Sequence, residues 1–352
     1  IVLLASSAVL LSSCNGTSYN GNDTSEGNFV KISILPGNGR YAAVSFTIGD
    51  SIAFVGTGFD GINKDSLFND FFKYNVNSGA WTQVANAPIS RQMAVAFSVD
   101  GKGYVGTGLD KYGNFYRDFY SYNPTTDKWS PIADFPGVGR ARATAFGLDN
   151  VHKGIVVGGS TSNNLFLSDV YSFDATTGTW SEDQGLPYDK RAGASSFVLD
   201  GKGYVLGGYD GNALSTYFYQ YDPTTSNHWG KYLRQIDAVT DSSYDDTWTT
   251  IKRVDGVAMV IGGKVYYTTG ASSPGNSLGV SIGSPNSNTW CWDPTTDVWE
   301  QRSSYESTRP ARWQAVGFSL AGRGFLGTGT SGSTGYYNFD EFIPSQDLDL
   351  NN

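Results

Sequence analysis

The sequence is poor in the residues that build metal centres and disulfide frameworks. Its 352 residues include two cysteines, Cys14 and Cys291, and two histidines, His152 and His228. Two cysteines are too few to hold a disulfide-rich domain together, and two histidines leave little for a metal site. We therefore expect neither a metal nor another cofactor.

Charge is also scarce. Charged residues make up 16% of the chain, the formal net charge is −9, and no run of lysine and arginine is longer than two. This net charge would repel a phosphate backbone. The composition therefore disfavours a nucleic-acid partner, and the sequence contains no basic helix for binding a membrane surface.

Glycine and aromatic residues, by contrast, are abundant. The chain has 44 glycines, 22 tyrosines, 20 phenylalanines and 9 tryptophans, which is too aromatic for a disordered protein. Tyr, Phe and Thr favour strands over helices, and 12 prolines together with the glycines supply many turns. This composition predicts a largely β structure and excludes a helical bundle.

The first 14 residues have the pattern of an export signal. Residues 1–11 are almost wholly apolar, Ser12-Ser13-Cys14 follows, and residues 15–28 are polar. Small residues before a cysteine resemble the bacterial lipoprotein lipobox, in which the cysteine becomes the acylated first residue of the mature chain. The resemblance implies a signal peptide at 1–13, lipidation of Cys14 and a flexible tether at 14–27. An ordinary signal peptide with an incidental cysteine is the alternative.

A repeat of about 50 residues runs through most of the remaining chain. The segments 91–97 (RQMAVAF) and 100–108 (DGKGYVGTG) recur as 191–197 (RAGASSF) and 200–208 (DGKGYVLGG). Each pair predicts two short apolar strands joined by a tight glycine turn. A second half, predicted as strand, turn and strand, ends in tryptophan and occurs at 70–81, 118–129, 169–180, 217–229 and 288–299.

Four strands per unit, with a glycine-rich first hairpin and a second hairpin bearing Tyr and Trp, resemble the kelch repeat. Its double glycine stands at 158–159 and 207–208, but is Gly-Thr-Gly from Gly56, Gly106 and Gly327. An arginine fourteen or fifteen residues before an apolar residue of the second strand marks six units. The resemblance implies an all-β, six-bladed kelch-type β-propeller, whose four-stranded sheets pack face to face.

The two ends of the chain predict how the propeller closes. Phe29 precedes Pro36 by the distance that separates tryptophan from proline in three units, so residues 29–35 form a fourth strand without its own blade. The last unit runs through Tyr337 to Asp340 and lacks such a strand. We expect the N-terminal strand to complete the last blade, because closure hides the edges of the terminal blades. The propeller is predicted over 28–345 as a monomer, with a tail at 346–352.

The candidate ligand-binding residues lie where variable loops are expected. The connections between blades and the loops between second and third strands share one face, here called the loop face. Arginines that begin the innermost strands, and aspartates that follow the glycine motifs, are expected there: Arg40, Arg91, Arg142, Arg191, Arg253 and Arg312, with Asp60, Asp110 and Asp210. Such arginines suit a carboxylate, a sugar acid or an acidic peptide. Alternatively, they join blades by bonding backbone carbonyls or Asp70, Asp118 and Asp169.

Three aromatic residues interrupt the repeat on the loop face. Tyr244 and Trp248 lie in an enlarged connection at 230–252, and Trp313 follows Arg312. They are candidates for stacking on a sugar ring or an apolar partner, or for anchoring their loops. The tryptophans that occur once per unit are expected to pack between blades: Trp81, Trp129, Trp180, Trp229 and Trp299.

Two kinds of kelch-type enzyme bear on function. Copper radical oxidases of the galactose oxidase kind need two histidines and a tyrosine crosslinked to a cysteine. Here His152 and His228 fall in turns of different blades opposite the loop face, and Cys291 is expected to be a small buried thiol. The chain is also similar to the six-bladed kelch sialic-acid epimerase (mutarotase). That reaction needs a general acid and base, for which Asp210, Asp245 and Asp246 are candidates.

The leading hypothesis is a binding protein without catalytic residues. It would be lipid-anchored in the bacterial cell envelope, in the periplasm or at the outer-membrane surface, with the lipid as its only membrane contact. Its loop face would bind a protein or a glycan. The alternative is an epimerase-like sugar isomerase, and the step from fold to function rests on analogy.

Overall fold

The computed structural model describes residues 26–63, 65–233, 236, 250–272, 284–305 and 309–349. Within them, six four-stranded antiparallel sheets are arranged as the blades of a β-propeller. A short 3-10 turn, Asp149–Val151, lies between the strands Thr144–Leu148 and Lys153–Val157. The six-bladed all-β fold expected from the sequence is confirmed. In the described residues no helix has the length and apolar character needed to cross a membrane.

The blades follow one another along the chain. Blade 1 contains β2 (Val44–Ile48), β3 (Ile52–Gly56), β4 (Phe71–Asn75) and β5 (Ala80–Val84). Blade 2 contains β6 (Val95–Val99), β7 (Lys102–Gly106), β8 (Phe119–Asn123) and β9 (Lys128–Pro131). Blade 3 contains β10 (Thr144–Leu148), β11 (Lys153–Val157), β12 (Val170–Asp174) and β13 (Thr179–Asp183).

The second half repeats this order until the last blade. Blade 4 contains β14 (Ser195–Leu199), β15 (Lys202–Leu206), β16 (Tyr219–Tyr221) and β17 (Lys231–Tyr232). Blade 5 contains β18 (Val257–Ile261), β19 (Lys264–Thr268), β20 (Thr289–Asp293) and β21 (Val298–Arg302). Blade 6 contains β22 (Trp313–Leu320), β23 (Arg323–Thr330), β24 (Phe339–Asp347) and, from the N-terminus, β1 (Glu26–Lys31).

The first strand of each blade lines a central channel, since these six strands contact one another in a ring. Side chains alternate along a strand, so one set faces the channel and the other packs between blades. In β6, Val95, Phe97 and Val99 are buried, whereas Ala96 and Ser98 line the channel. Small side chains at the channel-facing positions leave a cavity of about 360 Å³ toward the turns that join first and second strands.

The repeated tryptophans pack between blades, as the sequence predicts. The Trp129 ring of blade 2 lies 4.9 Å from Phe71 of blade 1, and Trp180 of blade 3 lies 5.0 Å from Phe119 of blade 2. These two indoles also donate hydrogen bonds to the preceding blade, Trp129 to the Ala85 carbonyl and Trp180 to the Ala133 carbonyl, both at 2.9 Å. The ring contributes apolar burial and its N–H fixes the position of the neighbouring blade.

The N-terminal strand closes the ring. It pairs antiparallel with the last strand, and Phe29 lies opposite Phe342 with ring centres 4.6 Å apart. The strand spans Glu26–Lys31 rather than 29–35, although hydrogen bonds from Ile32 and Leu35 continue the contact with blade 6. The first and last segments of the chain therefore share one sheet, and blade 6 has four strands like the others.

Candidate functional site

The repeated arginine occupies one equivalent position in every blade. Its Nη1 donates a hydrogen bond of 2.7 to 3.2 Å to the carbonyl of the residue at the end of the first hairpin. The six acceptor residues all have left-handed φ angles between 58° and 65°. The pairs are Arg40–Thr57, Arg91–Thr107, Arg140–Gly158, Arg191–Gly207, Arg253–Thr269 and Arg312–Thr328.

One of the sequence-predicted arginines is two residues out of register. Arg140, and not Arg142, occupies the repeated position in blade 3. The turn between the first two strands of this blade contains Asp149–Val151 and holds two more residues than the corresponding turn of blade 2. Counting back from the second strand therefore selects the wrong arginine.

In blades 1 to 3 the repeated arginine forms a two-point ion pair with an aspartate before the third strand. Arg40 binds Asp70 at 2.6 and 3.0 Å, and Arg140 binds Asp169 at 2.6 and 2.7 Å. Arg91 binds Asp118 in the same way. The carbonyl and aspartate partners expected of these arginines are confirmed for Arg40 and Arg91, and they apply to Arg140 in place of Arg142. The expectation that these bonds join neighbouring blades was wrong, because each arginine bonds partners of its own blade.

In the remaining three blades the repeated arginine has other hydrogen-bond partners. Arg191 binds Asp189, and Arg312 contacts the Asn338 Oδ1 at 3.2 Å. Among the described residues, Arg253 bonds only backbone carbonyls, and its burial lowers the pKa of its guanidinium to about 10. No member of the repeated set is more than 5% exposed. These groups are therefore engaged inside the blades, and a ligand on the loop face would not reach them.

The three candidate aspartates organise their own loops. Asp60, Asp110 and Asp210 each accept backbone N–H groups two to four residues further along the chain. Asp110 also accepts hydrogen bonds from the Asn114 amide and the Tyr116 hydroxyl. Slight burial opposes ionisation, but these hydrogen bonds lower the pKa of Asp110. Each carboxylate serves a different blade, and the three do not form one site.

Of the three aromatic residues predicted to stack on a ligand, only Trp313 lies within the described residues. Trp313 is 2% exposed and packs in a cluster with Val254 and Ala271, so it is a core residue and not an open stacking platform. Tyr244 and Trp248 lie outside the described residues, as do Cys14, Asp245 and Asp246. The assignments made for these five residues remain sequence-based predictions.

A ring of six residues surrounds the loop-face end of the channel. They stand two positions after each repeated arginine and are called here the mouth ring: Ala42, Met93, Arg142, Gly193, Asp255 and Gln314. All six have left-handed φ angles between 50° and 65°. Five backbone hydrogen bonds of 2.8 to 3.1 Å, from each N–H to the carbonyl of the preceding blade, connect them in order from Gln314 through Ala42 to Asp255.

The mouth ring contains an ion pair between blades 3 and 5. Arg142 Nη2 lies 2.5 Å from Asp255 Oδ2, and the two side chains are 11% and 9% exposed. Burial raises the pKa of Asp255, although the nearby Arg142 guanidinium opposes this effect. Of these three polar side chains, Arg142 was predicted from the sequence as a site residue, whereas Asp255 and Gln314 were not. The available signal was a polar side chain at a repeat position that is small or apolar in three other units.

The histidines and the described cysteine lie away from the mouth ring. His152 Nδ1 is 2.7 Å from Asp100, and His228 Nδ1 is 2.6 Å from Asp183, both at turns opposite the loop face. Cys291 is buried in β20, and burial raises the pKa of its thiol. Nowhere in the described ranges do three or more His, Cys, Asp or Glu side chains cluster as a metal site.

The large apolar side chains that are exposed in the described residues lie on the loop face. Seven large hydrophobic residues of the described chain are between 50% and 77% exposed: Ile34, Ile62, Tyr112, Val138, Leu165, Tyr188 and Tyr337. Ile34, Val138 and Tyr188 lie between blades, and the others lie between second and third strands. The opposite face, made of the turns inside hairpins and called here the turn face, has none of them.

Neighbouring loops on this face contact one another. Lys111 Nζ of blade 2 lies 2.7 Å from the Asp65 carboxylate of blade 1, and Gly335 N–H of blade 6 donates to the Asp60 carbonyl at 2.8 Å. The loops of blades 6, 1 and 2 therefore form a continuous surface, which carries the exposed side chains of Tyr337, Ile62 and Tyr112. A joined surface of this kind can bury more area than any single loop.

Comparisons with known proteins agree with this architecture. The solved structure of YjhT matches with a TM-score of 0.69 and 18% identity, over 88% of this chain and 95% of that chain, a likeness that shows the fold. Kelch domain-containing protein 1 of Mus musculus is 28% identical over 153 residues, which are 42% of this chain and 33% of the mouse protein. The matched segment thus spans about a third of the length of that relative. The model of the Attractin/LZTR1 β-propeller family matches residues 53–301, more than half of the chain. The chain therefore belongs to the Attractin/LZTR1 β-propeller family.

Proposed function

We propose that this propeller is a non-catalytic binding module that presents its loop face to a protein partner. The observation that carries the proposal is the one-sided distribution of exposed apolar side chains. Burial of such surface favours association by roughly 25 cal/mol per Å². The aliphatic residues Ile62, Val138 and Leu165 have no ring to stack on a sugar, so they favour a protein over a glycan.

The direction of the first strand determines the face at which a tether would join the propeller. β1 is antiparallel to β24, which leaves the loop face and ends at Asp347, so Glu26 begins β1 at the turn face. We propose that a lipid on Cys14 anchors the chain in the bacterial cell envelope. A tether from Cys14 would then hold the turn face toward the membrane and direct the loop face away from it.

A quantitative affinity experiment tests the loop face. The bait proteins are the wild type, a loop-face variant with Tyr112→Ser and Leu165→Ser, and a matched turn-face variant with Asn77→Ser and Thr125→Ser. Each is incubated with detergent extract of the producing cells, and retained proteins are quantified by mass spectrometry. We expect a partner retained equally by wild type and turn-face variant, and reduced at least about tenfold by the loop-face variant. Equal retention by all three baits would contradict the proposal.

The sugar isomerase is the alternative, and the site gives it less support. The Asp210 carboxylate accepts two backbone N–H groups at 2.7 Å, and the repeated arginines are buried inside the blades. We expect the purified protein to leave the mutarotation rate of freshly dissolved α-N-acetylneuraminic acid unchanged in an NMR time course. If the mutarotation rate rose in proportion to protein concentration, the proposed binding role would be wrong and the protein would be a sugar isomerase.

A glycan partner is distinguished by a separate assay. A glycan array is probed with the wild type and with Trp248→Ala. We expect no specific signal from either protein. A signal that is present for the wild type and lost in Trp248→Ala would replace the protein partner by a glycan that stacks on this tryptophan.

A further inference from the structure

The central channel contains a larger cavity than the one at the mouth ring. It has a volume of about 360 Å³, is partly open, and lies toward the turn face, where Asp149 lines it. It shares no lining residue with the cavity of about 150 Å³ at the mouth ring. This larger space is called here the channel cavity. Its walls come from the first strands of all six blades, so its shape depends on the closed ring.

One layer of the wall divides the channel cavity into a polar and an apolar half. The layer consists of the next-to-last residue of each first strand, and all six are half-buried. Three consecutive blades contribute hydroxyl groups, and the other three contribute glycine or valine. The polar half is Ser319, Thr47 and Ser98 of blades 6, 1 and 2, and the apolar half is Gly147, Val198 and Val260 of blades 3, 4 and 5.

Two hydroxyl groups of the polar half have no hydrogen-bond partner among the described residues. They belong to Thr47 and Ser98, and neither oxygen is one of the fully buried side-chain atoms that lack a partner, so both are accessible from the cavity. Ser319 Oγ accepts the Val260 N–H at 2.8 Å and can still donate its own hydrogen. A hydroxyl group both donates and accepts. This half of the wall therefore offers uncharged donors and acceptors to a bound molecule.

Two other hydroxyl groups of the channel serve the scaffold instead. Ser45 Oγ donates to the Gly317 carbonyl at 3.1 Å, and Ser196 Oγ donates to the Ala145 carbonyl at 2.9 Å. Each bond joins the first strands of two neighbouring blades. Both serines lie further from the turn face than the polar half. The hydroxyl groups that hold blades together and those that are available to a ligand thus lie at different depths of the channel.

We propose that the channel cavity binds a small neutral polyol built on a six-membered ring. Hydroxyl groups at the edge of such a ring exchange hydrogen bonds with Thr47, Ser98 and Ser319. The C–H groups of the ring contact Val198 and Val260 on the opposite wall. The cavity lies toward the turn face, so this site does not depend on the protein partner proposed for the loop face.

Volume and charge both restrict the ligand. A cavity of about 150 Å³ holds benzene, and the channel cavity is more than twice as large, so one six-membered ring fits together with its hydroxyl groups. Of the described residues that line it, only Asp149 is charged. An anion would meet this carboxylate without a cation to pair with. A cation would gain little, because Asp149 is exposed to water and already accepts the Asp100 N–H at 2.9 Å.

Valine methyl signals allow a direct test by NMR. Val198 and Val260 line the cavity, whereas Val170 is fully buried in β12, away from the channel, and serves as an internal control. Full-length protein labelled with ¹³C-methyl valine is titrated with myo-inositol. We expect saturable shifts of Val198 and Val260 with a Kd on the order of a few millimolar, as for a ligand of this size, and no shift of Val170.

Two further compounds test the chemistry of the ligand. Cyclohexanol has the same ring with a single hydroxyl group, and myo-inositol 1-phosphate adds a negative charge. We expect each to bind at least about tenfold more weakly than myo-inositol, the first because it leaves hydroxyl groups of the wall unpaired and the second because of Asp149. These comparisons use the wild-type protein alone.

A double variant and a matched control locate the site. Thr47→Val combined with Ser98→Ala removes the two hydroxyl groups without a partner, and we expect it to weaken myo-inositol binding at least about tenfold. The control combines Thr82→Val with Ser130→Ala, the same substitutions at exposed positions of the outer strands of the same two blades. We expect the control to bind as the wild type does. An unchanged Val170 signal shows that a variant remains folded.

Four results would overturn the proposal. Shifts of Val198 and Val260 that grow linearly without saturation would exclude a binding site. Cyclohexanol binding as tightly as myo-inositol would show an apolar cavity without polyol recognition. Equal binding of myo-inositol 1-phosphate would exclude selection for a neutral ligand. Unchanged myo-inositol binding by the folded double variant would exclude the hydroxyl groups of Thr47 and Ser98 as its partners.

Discussion

At the residue scale, the repeated arginines show how this fold uses charge in its interior. Each buried guanidinium binds a backbone carbonyl, and in four blades it also binds an aspartate. Where the described residues provide no carboxylate, as at Arg253, burial lowers the pKa of the guanidinium. The aspartates therefore stabilise the blades by keeping a buried charge paired.

Replacement of Asp118 tests this role. Its side chain is 27% exposed, so Asp118→Asn is expected to lower the free energy of unfolding by about 1–3 kcal/mol, less than for a fully buried pair. The control is Asp134→Asn, because Asp134 and Arg117 are both more than half exposed and 3.8 Å apart. It is expected to change stability by less than about 0.5 kcal/mol. Urea unfolding measures both, and equal effects would argue against the structural role.

The thiol of Cys291 gives a second residue-scale prediction. It is buried and its pKa is raised by burial, so it is expected to resist alkylation by iodoacetamide in the native protein. The same thiol should react fully in denaturant. Mass spectrometry of the peptide that contains Cys291 measures both states. Rapid labelling of the native protein would show that β20 opens without global unfolding.

At the scale of elements, closure depends on one short strand. Phe29 is fully buried and contacts both Phe342 and the Tyr305 ring, the latter with ring centres 4.7 Å apart. Without β1, the outer edge of β24 would expose unpaired N–H and C=O groups. The N-terminal strand thus joins the two ends of the chain in the same way that a fourth strand completes every other blade.

Deletion of residues 28–36 should remove this closure. We expect the truncated protein to aggregate or to unfold without a single cooperative transition, because blade 6 would have three strands and an open edge. Thermal unfolding followed by circular dichroism, with light scattering, measures both effects. Melting at the wild-type temperature with the same cooperativity would contradict the closure.

Much of the arrangement of strands and blades could be predicted from the sequence, and the predictions that failed did so for physical reasons. The four-strand repeat could be predicted because tryptophan, proline and glycine recur at fixed distances. The same distances predicted that the first segment of the chain pairs with the last. Arg142 was assigned wrongly because a 3-10 turn adds two residues to one hairpin. Asp255 and Gln314 were not predicted because a left-handed residue before each first strand connects neighbouring blades into the mouth ring, a geometry that has no short-range sequence signal.

At the scale of the whole molecule, the two faces differ in chemistry. The turn face consists of short hairpin turns in which Asn75, Asp174 and Asp293 accept hydrogen bonds from nearby backbone N–H groups. The loop face carries the exposed apolar residues and surrounds the mouth ring. A lipid tether that joins the propeller at the turn face, as proposed above, would leave the loop face free to bind a partner.

The tether is tested by Cys14→Ser. This substitution removes the only thiol that could carry the lipid in the N-terminal segment, so the protein is expected to leave the membrane fraction. Cell fractionation with immunodetection measures the distribution, and the Cys291→Ser variant is the matched control that should stay membrane-bound. Retention of Cys14→Ser in the membrane fraction would remove the lipoprotein interpretation.

Photo-crosslinking in living cells tests the binding role of the loop face most directly. A photoreactive amino acid replaces Tyr112 on the loop face or Asn77 on the turn face in the otherwise unchanged chain. We expect a discrete crosslinked protein from position 112 and no corresponding product from position 77. Crosslinks of equal yield from both positions, or a product from position 77 alone, would contradict the assignment of the loop face as the binding surface.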